Sequence, residues 1–234
     1  MSLEGSIESF TAQQIINACY QQGNADQCAF IERNTTDNRI FIVNQTVQNV
    51  SEAKISGIDV EIGYARRVEL LGGGETLGAR VFATYLGENS TTSSTGVKTD
   101  RAGETGNYQT TTSVGLPEWK LTAHLNYVRG PFSAFVQARF IDSGMLDATY
   151  NKNGVWDVAD NSVASITYLD ARLGYRFDVG SGSMEVYANG NNLTDRAPPI
   201  APYYSAFGAG PSQVNTSLFD VLGRRFAVGF KLDF

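Results

Sequence analysis

Three groups of residues have types and spacings that could do chemistry. Cys19 and Cys28 are the two cysteines of the chain. The eight residues between them are too many for a redox C-x-x-C or a zinc knuckle, and no further ligand stands near. A disulfide, a metal pair and two free thiols remain as readings. A second group is the polar stretch 147–161. Thr149, Asn151, Asn153, Gly154, Asp157 and Asp160 fall at positions 1, 3, 5, 6, 9 and 12 of a calcium-loop frame. Position 1 should be Asp, position 12 holds the shorter acid, and no helices flank the stretch, so it reads as a solvated loop. The third group is Asp170, Arg172, Arg176, Asp178 and Glu185, which could pass for carboxylates arranged for acid–base work. At period two they are more simply one polar face of a sheet, joined by cross-strand ion pairs. His124, in register with Lys120, Thr122 and Asn126, sits on such a face as well. No G-x-S-x-G elbow, H-E-x-x-H pair or phosphate-binding glycine loop occurs. No catalytic residue, metal ligand or cofactor is expected, and the chain does not read as an enzyme.

Composition narrows the class further. The chain has 234 residues, 42 % of them apolar, 11 % aromatic and 18 % charged, which is too apolar for disorder. A net charge of −6 leaves no basic surface for nucleic acid. No apolar run approaches the ~18–20 residues of a membrane helix, but a barrel strand needs only ~9–11 and alternates. The first residues show neither a basic n-region nor an apolar h-region, so they read as the interior of a longer protein rather than as a signal peptide.

The elements that position these residues are mostly strands. One helix is predicted over 11–20, with Ala12, Ile15, Ile16, Cys19 and Tyr20 on one face and Thr11 and Gln14 at capping-box spacing. From about residue 39 onward the period is two. Trp119, Leu121, Ala123, Leu125 and Tyr127 share a face against Lys120, Thr122, His124 and Asn126. Leu169, Ala171, Leu173, Tyr175 and Phe177 oppose Asp170, Arg172, Gly174, Arg176 and Asp178, and Phe226, Val228, Phe230, Leu232 and Phe234 oppose Ala227, Gly229, Lys231 and Asp233. Weaker versions occupy 58–66, 77–86, 132–140 and 184–190, about seven strands in all.

Short turns at 67–76, 129–132 and 178–183 alternate with long polar loops at 87–117, 143–163 and 196–218. Such a meander, with every long loop at one end, is the pattern of a transmembrane barrel. Aromatics near strand ends (Trp119, Tyr127, Tyr168, Phe177, Tyr187) read as its interfacial girdle. The competing architecture is a secreted soluble β-sandwich that packs its apolar faces as a core and recognises carbohydrate or protein with its loops.

The carboxyl-terminal motifs decide between these. Ser-Ile-Thr-Tyr-Leu-Asp-Ala-Arg-Leu-Gly-Tyr-Arg-Phe (165–177), Asn192-Leu193-Thr194-Asp195 with Pro198-Pro199, and Gly223-Arg224-Arg225-Phe226 running to a final Phe234 resemble the end of a TonB-dependent outer-membrane receptor. Softer matches are Gly57-Ile58-Asp59-Val60-Glu61 and Pro117-Glu118-Trp119-Lys120. The Cys19-Tyr20…Cys28 pair with Arg33 is similar to an extracellular loop of some members.

The resemblance implies an all-β, antiparallel, up-and-down transmembrane β-barrel segment, about the last seven of 22 strands. Residues 1–8 would end a preceding strand, 9–38 would form an extracellular loop with a short helix, and 39–234 would be barrel. In an exported loop Cys19 and Cys28 favour a disulfide. By resemblance the whole protein sits in the outer membrane of a Gram-negative bacterium. There it binds a scarce nutrient, such as a siderophore–metal complex or an oligosaccharide, and imports it. Its partners would be outer-membrane lipid, a small-molecule ligand, and an inner-membrane energy-coupling protein reached through an N-terminal part. No residue is assigned to ligand binding, and the segment by itself is expected to self-associate.

Overall fold

The computed structural model describes residues 2–4, 7–93, 97–106, 115–150, 158–201 and 213–234. The described elements are β1 (Ser2–Glu4), β2 (Ile7–Ser9), α1 (Ala12–Tyr20), α2 (Ala25–Cys28), β3 (Ile31–Arg33), β4 (Ile40–Val43) and β5 (Val47–Val68). They continue with β6 (Glu75–Ser93), β7 (Lys98–Asp100), β8 (Trp119–Arg129), β9 (Phe132–Ile141), β10 (Gly144–Met145) and β11 (Ser162–Val163). The chain closes with β12 (Ile166–Val179), β13 (Gly182–Asn191) and β14 (Arg225–Asp233). One antiparallel sheet dominates, in the order β1-β5-β6-β8-β9-β12-β13-β14, with β2 also on β5 and β7 on β6. Its seven long strands pair in chain order, as the alternation predicts. The sheet does not close on itself among the described residues, since β1 and β14 end the path.

The turns explain the register. Arg129 pairs with Phe132 across Gly130-Pro131, and Val179 pairs with Gly182 across Gly180-Ser181. Gly130 and Gly180 have φ of +53° and +59°, the left-handed region that a tight hairpin requires at its first central residue. With register set there, the apolar side chains fall into rows on one face. Tyr64, Ala79, Leu125, Val136 and Ala171 lie across neighbouring strands, as do Val228, Ala188, Leu173 and Ala134.

That apolar face is bare. Ile62 is 63 % exposed, Leu173 53 % and Val228 79 %. A sandwich would cover these residues with a second sheet. The other described sheets are the two-stranded pairs β3-β4 and β10-β11, so the described residues form no sandwich. The packed core lies on the opposite, polar face, at the long-loop end. There Ile141, Val163, Ile166, Tyr168, Ala201 and Phe219 cluster with Leu146, Val214 and Leu218.

Several expectations need correction. β5 and β6 extend well past 58–66 and 77–86, so residues 87–93 are strand rather than loop. Beyond the apolar stripe both faces are polar (Glu88, Asn89, Ser90, Thr91), and a period-two signal vanishes even though the hydrogen-bond ladder continues. The extension passes an irregularity between Ser56 and Gly57. A Cβ on Gly57 would lie 2.4 Å from the Tyr85 carbonyl oxygen, so only glycine fits there. Tyr168 and Tyr187 are not girdle aromatics. They pair with Arg139 and Gly174 on the polar face, and Tyr168 is fully buried beneath the loops. The apolar face does carry aromatics at both ends: Trp119 against Tyr85 at 4.7 Å, and Tyr127 against Phe132 at 6.2 Å. Trp119 and Tyr127 are eight residues apart on β8, about 20 Å along the normal at ~3.3 Å per residue and ~40° tilt.

Candidate functional site

At the amino end, Thr11 caps α1 as the spacing predicts: its hydroxyl accepts from the Gln14 N–H while Gln14 Oε1 accepts from the Thr11 N–H. A disulfide joins Cys19 to Cys28 and ties α1 to α2. Arg33 donates to the Tyr20 hydroxyl and stacks over its ring. Asn17, almost fully buried, donates Nδ2–H to Thr149 Oγ1 at 3.2 Å, so this unit docks on the loop after β10. A cavity of about 50 Å³ remains between α1, the α1–α2 turn, β6, β7 and Thr149.

The calcium frame lies largely outside the described residues, which include Thr149 and Asp160 but not Asn151, Asn153, Gly154 or Asp157. Thr149 Oγ1 donates to Asp147 Oδ1, and Asp160 Oδ1 accepts from the Ser162 N–H. Among the described residues no group of three His, Cys, Asp or Glu could hold a metal. His124 lies between Phe82 and Phe135, ring centroids 6.0 and 5.6 Å away, with Arg80 and Gln137 opposite it in register.

Two of the polar-face carboxylates, Asp170 and Glu185, form ion pairs, while Asp178 is exposed opposite Ser183. Arg139 Nε donates to Asp170 Oδ2 at 2.9 Å, and Arg172 donates to Glu185 Oε1 at 2.8 Å while stacking 4.0 Å over Tyr187. Glu185 stands opposite Arg176 in register but takes its partner from Arg172, four residues along β12 on the same face. A carboxylate already held by a guanidinium is poorly placed to abstract a proton, so Asp170 and Glu185 are structural.

The two carboxyl-terminal motifs meet. Asp170 Oδ1 accepts from the Asn192 N–H, and Asn192 uses its side chain to bond both the N–H and the carbonyl of Arg196. Asn192 and Asp195 have φ of +49° and +51°, a bend that short polar side chains tolerate. Asp195 Oδ1 then accepts the Arg224 N–H at 3.0 Å, and the Arg224 guanidinium stands 3.7 Å from Asp195 Oδ2. Gly223 is left-handed, with room for a Cβ 3.4 Å from Asp195. Leu193 donates its N–H to the Leu169 carbonyl, and a Cβ on Gly190 would strike Leu193. Thr194 is exposed, and Phe234 is fully exposed beyond the end of β14. The motif residues therefore splice the β13–β14 loop to the sheet.

Two further groups of charges, one part-buried and one nearly fully buried, left no sign in the sequence pattern. Arg225 holds Asp220 through a two-pronged contact at 2.8 and 3.1 Å, which keeps the Asp220 carboxyl below its usual range. The Asp220 N–H donates to the Tyr168 hydroxyl. Glu104 and Asp147, both nearly fully buried, flank Arg101 at 2.5 and 3.8 Å, and Glu104 also accepts the Ala148 N–H. Burial raises the Glu104 carboxyl above its usual range, opposed by Arg101 and reinforced by Asp147. Neither group repeats a spacing, so neither leaves a trace in the periodicity.

A model of the family "TonB dependent receptor-like, beta-barrel" matches residues 29–193. No curated protein matches significantly. Among solved structures, the chain is similar to the closed form of the ferric-catecholate import receptor Fiu from E. coli K12, with a TM-score of 0.36 and 15 % identity. That similarity covers 97 % of this chain and 32 % of the Fiu chain. With more than half its length matched by the family model, and with the antiparallel meander that the motifs imply, the chain belongs to the TonB-dependent receptor family, as part of its β-barrel.

Proposed function

We propose that this chain is the carboxyl-terminal part of an outer-membrane receptor that binds a scarce small molecule on its long-loop side and imports it with inner-membrane energy. The single observation that carries the reading, beyond family membership, is the bare apolar face with aromatics at both ends. A lipid-facing barrel wall needs that surface, and a water-soluble domain of this size would have to hide it. The polar face, with its ion pairs and packed loops, then lines the lumen. The seven long strands would be the last of 22, and β1 and β2 on the edge of β5 would continue the strand before them. Lipid of a Gram-negative outer membrane would meet the apolar rows. A plug and the segment that engages the energy-coupling protein would belong to the rest of the receptor. Uptake is then binding followed by plug rearrangement, not catalysis.

The test uses the full-length receptor in its own host. Its removal should abolish high-affinity accumulation of one nutrient, and deletion of the inner-membrane coupling protein should do the same. Accumulation that persists without the coupling protein would refute the proposal.

A further inference from the structure

The cavity beside the disulfide-tied helix has a composition that selects a ligand class. Five of its eleven lining residues are Asn or Gln, three are Thr, and none is charged. Phe10, Ala18 and Val97 supply the apolar remainder. Amide side chains both donate and accept, as do hydroxyls, so such walls match groups that do both. An anionic iron chelate would need cations here to offset its desolvation, and the lining has none. The nearby lysines, Lys54 and Lys98, are both engaged with Glu88.

The walls are also held in place. They come from segments far apart in the chain: α1 and its turn, the β6–β7 pair, and Thr149. The Cys19–Cys28 disulfide fixes the first, hydrogen-bonded pairing fixes the second, and the Asn17–Thr149 bond joins the first to the third. A site already ordered before binding loses less entropy on capturing a ligand. At about 50 Å³ the cavity has room for a few waters, well above the ~10–15 Å³ that one needs. That suits the hydroxyl edge of one sugar ring, with Phe10 available to its C–H face, rather than a whole oligosaccharide.

We infer that this cavity binds a neutral, hydroxyl-rich ligand, one ring of a saccharide, and so turns the receptor toward sugars rather than anionic siderophores. The inference deepens the receptor reading and rests on it for the biological role, but not for the binding itself.

The experiment is calorimetric titration of the full-length receptor in a detergent without a sugar headgroup. The probes are maltotriose, xylotriose and N,N′-diacetylchitobiose, with a ferric tris-catecholate complex as the anionic arm. At least one saccharide should bind. Ala18→Leu, which fills the cavity, should weaken it tenfold or more, and Thr99→Val, which keeps shape but removes a hydroxyl, roughly two- to tenfold. Circular dichroism and the electrophoretic shift on heating show that each variant is folded. Saccharide binding unchanged in both folded variants would overturn the assignment of the site. Binding of the ferric complex alone, or of no saccharide at about 10 mM by folded wild type, would overturn the ligand class. Binding is read without transport. Saccharide capture with uptake that ignores the coupling protein would refute the receptor reading and leave this inference standing.

Discussion

Val228 and Ala227 are neighbours in β14 whose side chains project to opposite faces of the sheet, both exposed. Replacing each with Arg in the intact receptor places the same charge on the apolar face or on the polar one. Val228 lies six residues before Phe234, and Leu173, in the same cross-strand row, lies six before the turn-end residue Val179. At ~3.3 Å per residue and ~40° tilt, six residues rise about 15 Å, close to the middle of a ~25 Å apolar band. An arginine at that depth costs ~2–4 kcal/mol, so Val228→Arg and Leu173→Arg should each lower stability by that amount. Ala227→Arg, facing a water-filled or plug-filled lumen, should cost under about 1 kcal/mol. Arg172→Ala gives a polar-face comparison for Leu173→Arg. It loses an ion pair and a ring contact that are both part-exposed, about 1 kcal/mol together. Reversible denaturant titration of the receptor folded into phospholipid vesicles measures all four. Equal losses from Val228→Arg and Ala227→Arg would refute the assignment of faces, and with it the lipid-facing wall.

Other outcomes follow from single contacts. Tyr168→Phe leaves the Asp220 N–H without its acceptor and should cost ~1–3 kcal/mol, whereas Tyr168→Ala also opens a cavity and should cost ~3–5 kcal/mol; faster hydrogen exchange of the Asp220 amide checks the first. Because burial raises the Glu104 carboxyl, the folded chain holds that proton more tightly than the unfolded chain. Loop-cap stability should therefore fall as pH rises from about the ordinary value of 4.5 through the raised one, and Glu104→Gln should flatten that part of a pH–melting profile. Replacing Cys19 and Cys28 together by Ser releases a ten-residue loop worth ~2.5–3 kcal/mol, and should show as protease nicking within 12–28 while the sheet stays intact. The 234-residue chain alone, in buffer without detergent, should associate through its unpaired β14 edge and bare apolar rows; a folded monomer by light scattering would contradict this.

Alternation, turn residues and caps are local, and local features were legible. The faces of β8, β12 and β14, the hairpin turns at Gly130 and Gly180, and the Thr11 cap depend only on neighbours within a few residues. The order of the long strands followed because each pairs with the next. Legibility ended where both faces of a strand became polar, as in residues 87–93, since periodicity reports burial contrast and not hydrogen bonding. At Tyr168 and Tyr187 a strand-end position outweighed parity, although the alternation itself puts them in step with Asp170 and Glu185 on the polar face; the register with Arg139 and Gly174 bears the parity out.

Only the tertiary structure brings Asn192–Asp195 against Gly223–Arg224, places Arg101 between Glu104 and Asp147, and lets Asn17 reach Thr149 across 132 positions. These contacts close through loops whose paths no periodicity encodes. Their partners are chosen by which polar groups are buried together and must satisfy one another. The sequence by itself thus determined a one-sided antiparallel sheet of a known family, because hydrophobic alternation and turn chemistry act between near neighbours. The amide-lined cavity was decided by folding alone, because its walls become neighbours only when α1, β7 and Thr149 are carried to the same end of the sheet.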